Sequence, residues 1–304
     1  MWNQRNRFWL GTGAALLVFG AALASTATKS APDDLAFAAP EPVEIKGYVG
    51  DAMEPFVTRD GRSLIFNTRN GRKDQTDLML ARRIDDRHYS FVGPVAGANS
   101  LSLDGVASID REGRFYFVST RDFASSGNTL WIGRFGDGRV SDVRPLSADF
   151  TPKRPLRLNI DLEISADRSE LYFAENRWNL FMGRPSISHL AVASHIGERF
   201  HRRPASDRLM KAIDSGALNY APATSEDRLT LYFTRWNPSL LGDLPHLMVS
   251  HRASAAVAWG APRRIAAATG FVEGATVTPD QCAILYHKRI GESYRLFLIR
   301  RHDC

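Results

Sequence analysis

Catalytic signatures are scarce in this chain. No serine sits in a glycine-flanked nucleophile elbow. No glycine-rich phosphate loop opens a helix, and no loop carries the dense Asp/Asn spacing of a calcium site. The eight histidines lack metal-ligand spacing. These absences exclude the α/β-hydrolase triad, P-loop chemistry and EF-hand sensing. No catalytic residue, cofactor or metal is expected from motifs alone. Basic runs with interleaved aromatics are also missing. The formal charge of +6 therefore reads as solvated surface, and no nucleic-acid partner is expected.

Cysteine is nearly absent as well, with Cys282 and Cys304 the only two. That excludes a disulfide-dense scaffold. In an oxidising compartment a bridge between them would pin the C-terminus; the alternative is one buried thiol and one at a frayed end.

What is present begins with an export signature. Arg5 and Arg7 precede an apolar stretch over residues 8–23, and Ala22-Leu23-Ala24 supplies a small-x-small cleavage site. Residues 1–24 are expected to be a signal peptide. The Ala/Ser/Thr/Pro-rich residues 25–39 follow as a flexible tether. The protein is expected in the periplasm or secreted. Membrane contact, by anchoring to the inner membrane, is expected only if the apolar segment stays uncleaved.

Residues 54–83 set a pattern that the remainder repeats. Glu54-Pro55-Phe56-Val57 leads into an Asp60-Gly61 turn, then Leu64-Ile65-Phe66, then a polar loop through Arg69, Asn70 and Gly71, then Leu78-Met79-Leu80. Asp-Gly between β-rich runs signals a hairpin, because the favoured turn needs positive φ. The central run returns as Phe115-Tyr116-Phe117, Leu171-Tyr172-Phe173, Leu231-Tyr232-Phe233 and Ile284-Leu285-Tyr286, at steps of 51, 56, 60 and 53 residues. The turn returns near Glu112-Gly113, Asp167, Asp227 and Asp280. An arginine follows each central run: Arg69, Arg121, Arg177, Arg235 and Arg289. His189 and His246 occupy equivalent places before third strands. Recurrence of several features in one order marks a repeat architecture.

Four strands per repeat and five repeats predict an all-β, five-bladed β-propeller over residues 40–304. Pro94, Pro145, Pro204 and Pro262 mark the fourth-strand runs of blades one to four. The last repeat lacks such a run, while Pro42-Val43-Glu44-Ile45 precedes the first. An N-terminal strand is therefore expected to complete the last blade and close the ring. Residues 206–216 predict a short helix inserted between blades three and four, capped by Ser206 or Asp207 and stopped by Gly216.

Thr58-Arg59-Asp60-Gly61-Arg62-Ser63-Leu64-Ile65-Phe66-Asn67-Thr68-Arg69 and Asp110-Arg111-Glu112-Gly113-Arg114-Phe115-Tyr116-Phe117-Val118-Ser119-Thr120-Arg121 resemble the TolB-like, WD-like propeller repeat. Blades three to five lose the turn glycine and match less well. The resemblance implies the propeller fold; members of that family include protein-binding periplasmic modules, scaffolds and non-catalytic domains of peptidases. The familiar TolB propeller has six blades, so five argues against equivalence with it.

Two residue sets are expected on one face of the disc. Glu54, Asp104, Asp161, Asn219 and Glu273 lie near the starts of innermost strands. The five arginines lie in the loops after second strands. Arginine–carboxylate pairs there would clamp blade to blade; carboxylates left free would instead allow catalysis. The asymmetric loops carry Arg177-Trp178-Asn179-Leu180-Phe181-Met182 and Arg235-Trp236-Asn237-Pro238-Ser239-Leu240-Leu241. Apolar loops of this kind either bind a partner or fold inward as a cap. Trp178, Phe181, Trp236, Leu240, Arg177 and Arg235, with Glu54, Asp104, Asp161 and Glu273, form the expected binding face for a protein, peptide or small ligand. The motifs favour a non-enzymatic binding module over an enzyme. The alternatives are a glycan-acting hydrolase that draws on the inner-strand carboxylates and a structural subunit of an envelope complex.

Overall fold

The structure, a computed structural model, describes residues 37–69, 76–214 and 216–304. The leader, most of the tether, and Asn70 and Gly71 lie outside the described residues. The chain is a five-bladed β-propeller. The innermost strands are Met53–Val57, Asp104–Ile109, Arg157–Ile164, Leu218–Thr224 and Val272–Val277. Each is hydrogen-bonded to its second strand, and the sheets run antiparallel outward from there.

Five apolar clusters sit at the five seams between blades. The aromatic residues of the second strands supply their bulk: Phe66, Phe117, Phe173, Phe233 and Tyr286 are all buried. Alternation on a strand sends neighbouring side chains to opposite seams, so each second strand serves two clusters.

Aspartate, more than glycine, makes the repeated turn. Asp60 accepts from Thr58 Oγ1 at 2.6 Å and from the Arg62 N–H at 3.0 Å. Asp167 does the same with Ser165 and Ser169, Asp227 with Ser225 and Leu229, and Asp280 with Thr278 and Cys282. The left-handed position is filled by Gly61 and Gly113, and then by Arg168, Arg228 and Gln281 at φ of 62–65°. Blades three to five therefore keep the turn without its glycine, because the carboxylate holds the backbone in an Asx turn.

Closure uses the N-terminal segment twice. Glu41–Pro42 pairs antiparallel with Phe297 and Leu298, completing the last blade. Glu44–Lys46 then turns away and pairs in parallel with His88–Ser90 of blade one. The segment expected beside the last blade alone is thus split across the seam, and Val43 and Ile45 are buried within it. Ile45→Ala is expected to cost about 2 kcal/mol, read as a lower urea midpoint with an unchanged slope.

Two smaller expectations differ from the structure. The fourth strand of blade four is Arg263–Arg264. Trp259, just before the Pro262 that marks this run, packs into the seam between blades three and four. The inserted helix spans Ser206–Met210 without a side-chain cap. The Ser206 hydroxyl accepts the Val192 N–H at 3.0 Å instead, while Leu209, Met210 and Ile213 are buried on blade three. Cys282 and Cys304 are joined by a disulfide.

Candidate functional site

All five innermost strands carry a β-bulge at one level of the channel. Their ladders break between Met53 and Phe56, Gly105 and Ser108, Ile160 and Glu163, Tyr220 and Ala223, and Glu273 and Thr276. Each bulge holds one residue at positive φ: Glu54 at 46°, Val106 at 51°, Asp161 at 52°, Ala221 at 48° and Gly274 at 62°. Glycine alone takes this conformation freely; for the other four the cost is about 1–2 kcal/mol each.

Side chains reaching from one blade to the next hold the bulges in place. The Val106 N–H donates to Asn67 Oδ1 at 3.2 Å, and the Gly274 N–H to Thr234 Oγ1 at 3.1 Å. The Glu54 N–H donates to His287 Nδ1 at 3.2 Å. The Ala221 N–H donates to the Asp161 carboxylate. A bulge re-aims the side chains beside it, and here it turns Glu54, Asp161 and Glu273 toward one point.

His287 lies between two of these carboxylates. Its Nε2 is 3.2 Å from Glu273 Oε2, and its Nδ1 is 3.9 Å from Glu54 Oε1. Because Nδ1 accepts a backbone N–H, the neutral ring carries its proton on Nε2 and donates it to Glu273. Burial pushes the imidazole pKa down; the Glu54 charge and the Glu273 hydrogen bond push it up and prevail. Tyr220 donates its hydroxyl to Glu273 Oε1. Its own pKa lies well above that of a free phenol, through burial and then the Glu273 charge, so it keeps its proton. Gly274 is required beside this cluster. A Cβ there would collide with the Glu54 carboxylate and come within 3.0 Å of His287 Nδ1.

Burial raises the Glu54 pKa, with His287 opposing and Glu273 adding to the rise. Asp161 stands well above the ordinary carboxylate range, first through burial and then through the charges of Glu54 and Glu273. Above the three acids opens a cleft of about 220 Å³, with Trp178 and Trp236 in its wall and Met53, Ile160, Pro185 and Leu218 around them. Below them the channel narrows to about 20 Å³. At its far end Arg59 crosses from blade one to the Ile109 carbonyl at 3.0 Å, the Ile164 carbonyl at 2.8 Å and Glu163 at 3.2 Å.

The expected acidic set divides in two. Glu54, Asp161 and Glu273 meet at the cleft floor. Asp104 does not: it is fully buried and bonded to Arg121 at 2.6 Å and to the Ser100 hydroxyl at 2.7 Å. Asn219 accepts from Arg235 at 2.9 Å. Each pair lies within one blade, joining its first strand to the end of its second, so neither clamps one blade to the next as expected. The physical reason for the division is register. Asp104 and Asn219 stand two residues before the positive-φ position, whereas Glu54 and Asp161 occupy it and Glu273 immediately precedes it. The bulge breaks simple alternation: it aims the position itself and the one before it at the cleft, and leaves the residue two before it in the ladder.

The recurrent arginines are not equivalent either. Arg69 bonds the Glu292 carbonyl at 2.8 Å and pairs with Asp51 at 3.6 Å. Arg289 stacks on Phe271 at 4.8 Å, and Arg177 is exposed. Among the described residues no arginine pairs with Glu54, Asp161 or Glu273. Of the expected binding face, Trp178 and Trp236 line the cleft, while Phe181, Leu240, Arg177 and Arg235 do not. Arg235 is drawn into its pair with Asn219, and Phe181 and Leu240 stand in solvent. His287 and Tyr220 were missed. The available signal was positional: His287 directly follows the central aromatic run, where Asn67 and Thr234 stand in other blades.

No family model matches the sequence, and no curated protein does. Solved structures match the fold. A family 117 glycoside hydrolase of Zobellia galactanivorans superposes with a TM-score of 0.58 at 9% identity, over 90% of this chain and 93% of that one. An arabinanase of Bacillus subtilis superposes with a TM-score of 0.54 at 12% identity, over 83% and 94%. TolB of Acinetobacter baumannii reaches a TM-score of 0.46 at 12% identity, over 82% of this chain and 54% of that one, too low to carry weight. At such identities what is shown is the fold. The TolB-like resemblance holds at the level of the propeller and no finer.

The expectation of a non-enzymatic module is corrected here. The similar structures are in the main glycoside hydrolases, families 43 and 62 among them. Beside the lack of nucleophile motifs, one argument against catalysis was that arginine would neutralise the inner-strand acids, and among the described residues it fails for three of them.

Proposed function

We propose that the protein is a glycoside hydrolase whose active site is the cleft above Glu54, Asp161 and Glu273. The observation that carries this reading is the convergence of three carboxylates, free of arginine partners among the described residues, beneath a tryptophan-walled opening. Glu54 and Glu273 flank one imidazole, 3.9 Å from its Nδ1 and 3.2 Å from its Nε2, and Asp161 lines the same cleft. Glycosidases likewise gather their working carboxyls in one cleft, roughly 5–9.5 Å apart.

The roles follow from the surroundings of each acid. Asp161, held toward its protonated form by burial and by neighbouring negative charge, is the general acid that protonates the leaving oxygen. Glu54 acts through Asp161, as the nearest charge that keeps it protonated. Glu273 is the base or nucleophile, oriented by Tyr220 and His287. Indole faces suit the C–H faces of sugar rings, which makes Trp178 and Trp236 the binding walls.

The test is release of reducing ends from a panel of oligosaccharides by the purified chain. On a substrate that is turned over, Trp236→Ala is expected to raise KM about tenfold while kcat changes little, since it removes binding made equally in ground and transition states. Failure to cleave any glycosidic bond across α- and β-linked pentoses and hexoses would overturn the proposal.

A further inference from the structure

Two loops rise beside the cleft, residues 177–184 from blade three and 236–244 from blade four. Leu180, Phe181, Met182, Leu240 and Leu241 stand at their tips, Phe181 and Leu241 wholly in solvent. The loops are joined at their bases, where the Arg184 guanidinium lies 5.4 Å over the Trp236 ring. Together the tips form one apolar patch of a kind that monomeric proteins rarely expose without use.

The surroundings of the patch are basic. Lys153, Arg154 and Arg157 lie on the segment that leads into blade three, and all three are exposed. That segment adjoins the loop: Arg157 is the strand partner of Arg177, and the Trp178 N–H donates to the Leu156 carbonyl at 2.7 Å. Residues 151–157, 177–184 and 236–245 contain five Lys or Arg against a single acid, Asp243. Asp243 is turned inward, accepting the Asn237 N–H at 2.7 Å and facing His246 at 3.8 Å. The patch therefore presents apolar tips within a positive collar and no outward negative charge.

We infer that this face docks on an anionic lipid bilayer, with the apolar tips entering the interface and the basic collar at the level of the lipid phosphates. The tips are convex and their side chains are free of the protein's own packing. A protein partner would need a pocket matched to each tip, whereas a bilayer receives them without one. Apolar insertion and attraction of Lys and Arg to anionic headgroups add together. Docking turns the mouth of the cleft toward the lipid. On the hydrolase reading, which the docking itself does not require, the glycans that reach the cleft are then those carried at a membrane surface.

The test is co-sedimentation of the whole chain with vesicles of phosphatidylcholine alone or mixed equally with phosphatidylglycerol. The wild type is compared with L180S/F181S/L241S and with K153Q/R154Q/R157Q, so that any pull from the apolar leader is common to all three. All six positions are exposed, and thermal melts check that the fold is kept. The serine variant is expected to lose at least about tenfold in partitioning onto the mixed vesicles. The glutamine variant is expected to lose a similar factor there and nothing on the neutral ones, and about 0.5 M salt should mimic it. Equal partitioning of wild type and serine variant overturns the inference, as does a wild type indifferent to anionic lipid. Recovery of an envelope protein through these loops, with no vesicle binding, overturns it in favour of a protein partner.

Discussion

Asp161→Asn is expected to slow turnover severely and, at neutral pH, to make the protein more stable. The loss of rate is expected to be about 10²–10⁴-fold, the usual share of a general acid. The substitution keeps shape and keeps an oxygen to accept the Ala221 N–H that Asp161 now receives. It removes only the dissociable proton and the charge. The gain in stability follows from the direction of the pKa shift. In the unfolded chain an aspartate ionises near pH 4. In the folded chain burial, then the charges of Glu54 and Glu273, lift Asp161 well above that value. Between the two pKa values the unfolded state gives up its proton and the folded state does not, so folding is progressively disfavoured as pH rises. Above the folded value the penalty is complete; below about pH 4 it vanishes. Asparagine never incurs it. Melting curves of the two proteins should separate at pH 7, with the variant higher, and converge at about pH 3.5. A variant that melts lower than wild type at pH 7 would show that Asp161 serves the fold and not the reaction.

Arg252→Ala is expected to remove about 3–5 kcal/mol of stability, the cost of leaving a buried charge without its partner. The Arg252 side chain has no exposed surface and Glu170 almost none. The guanidinium donates to Glu170 at 2.8 Å, to the Tyr172 hydroxyl at 2.7 Å and to the Arg228 carbonyl at 2.8 Å, and it stacks 4.3 Å from the Trp259 ring centre. Arg203 also holds Glu170, at 2.7 Å. It cannot replace the lost contacts, because it meets the other carboxylate oxygen. Truncation leaves Glu170 Oε2 with only the neutral Tyr172 hydroxyl, at 2.6 Å, in the seam between blades three and four, and a void under Trp259. The double change Glu170→Leu with Arg252→Met should recover much of the loss, since exchanging a buried pair for apolar volume is often nearly neutral. Urea unfolding of the wild type, the single variant and the double variant measures both effects. A double variant as unstable as the single one would mean that the pair contributes net stability beyond mutual neutralisation.

Particular residues show what could be read from the chain and what could not. Phe66, Phe117, Phe173, Phe233 and Tyr286 announce the second strands because a residue that serves a seam must be large and apolar whatever its neighbours do. Spacing on a strand is local, so five blades could be counted from it. The turn aspartates could be read for a similar reason, since an Asx turn is made within three residues. The bulges left no such mark. Val106, Ala221 and Gly274 share a backbone conformation with Glu54 and Asp161 and share no side-chain property with them.

The amino-acid order alone therefore determined the architecture: the number of sheets, their strand order and the need for an N-terminal strand to seal the ring. It also supplied the acids and the two tryptophans. Only the tertiary structure decided which acids work together. Glu54, Asp161 and Glu273 come from blades one, three and five, and each stands at a bulge; His287 and Thr234 of the neighbouring blades hold those of Glu54 and Glu273. Asp104, near in sequence pattern, stands two residues before the positive-φ position and is tied to Arg121. A difference of one or two residues along a bulged strand is invisible in composition and periodicity, yet it separates a paired carboxylate from a cleft-floor one. That choice is made by contacts between blades, which exist only once the ring has closed.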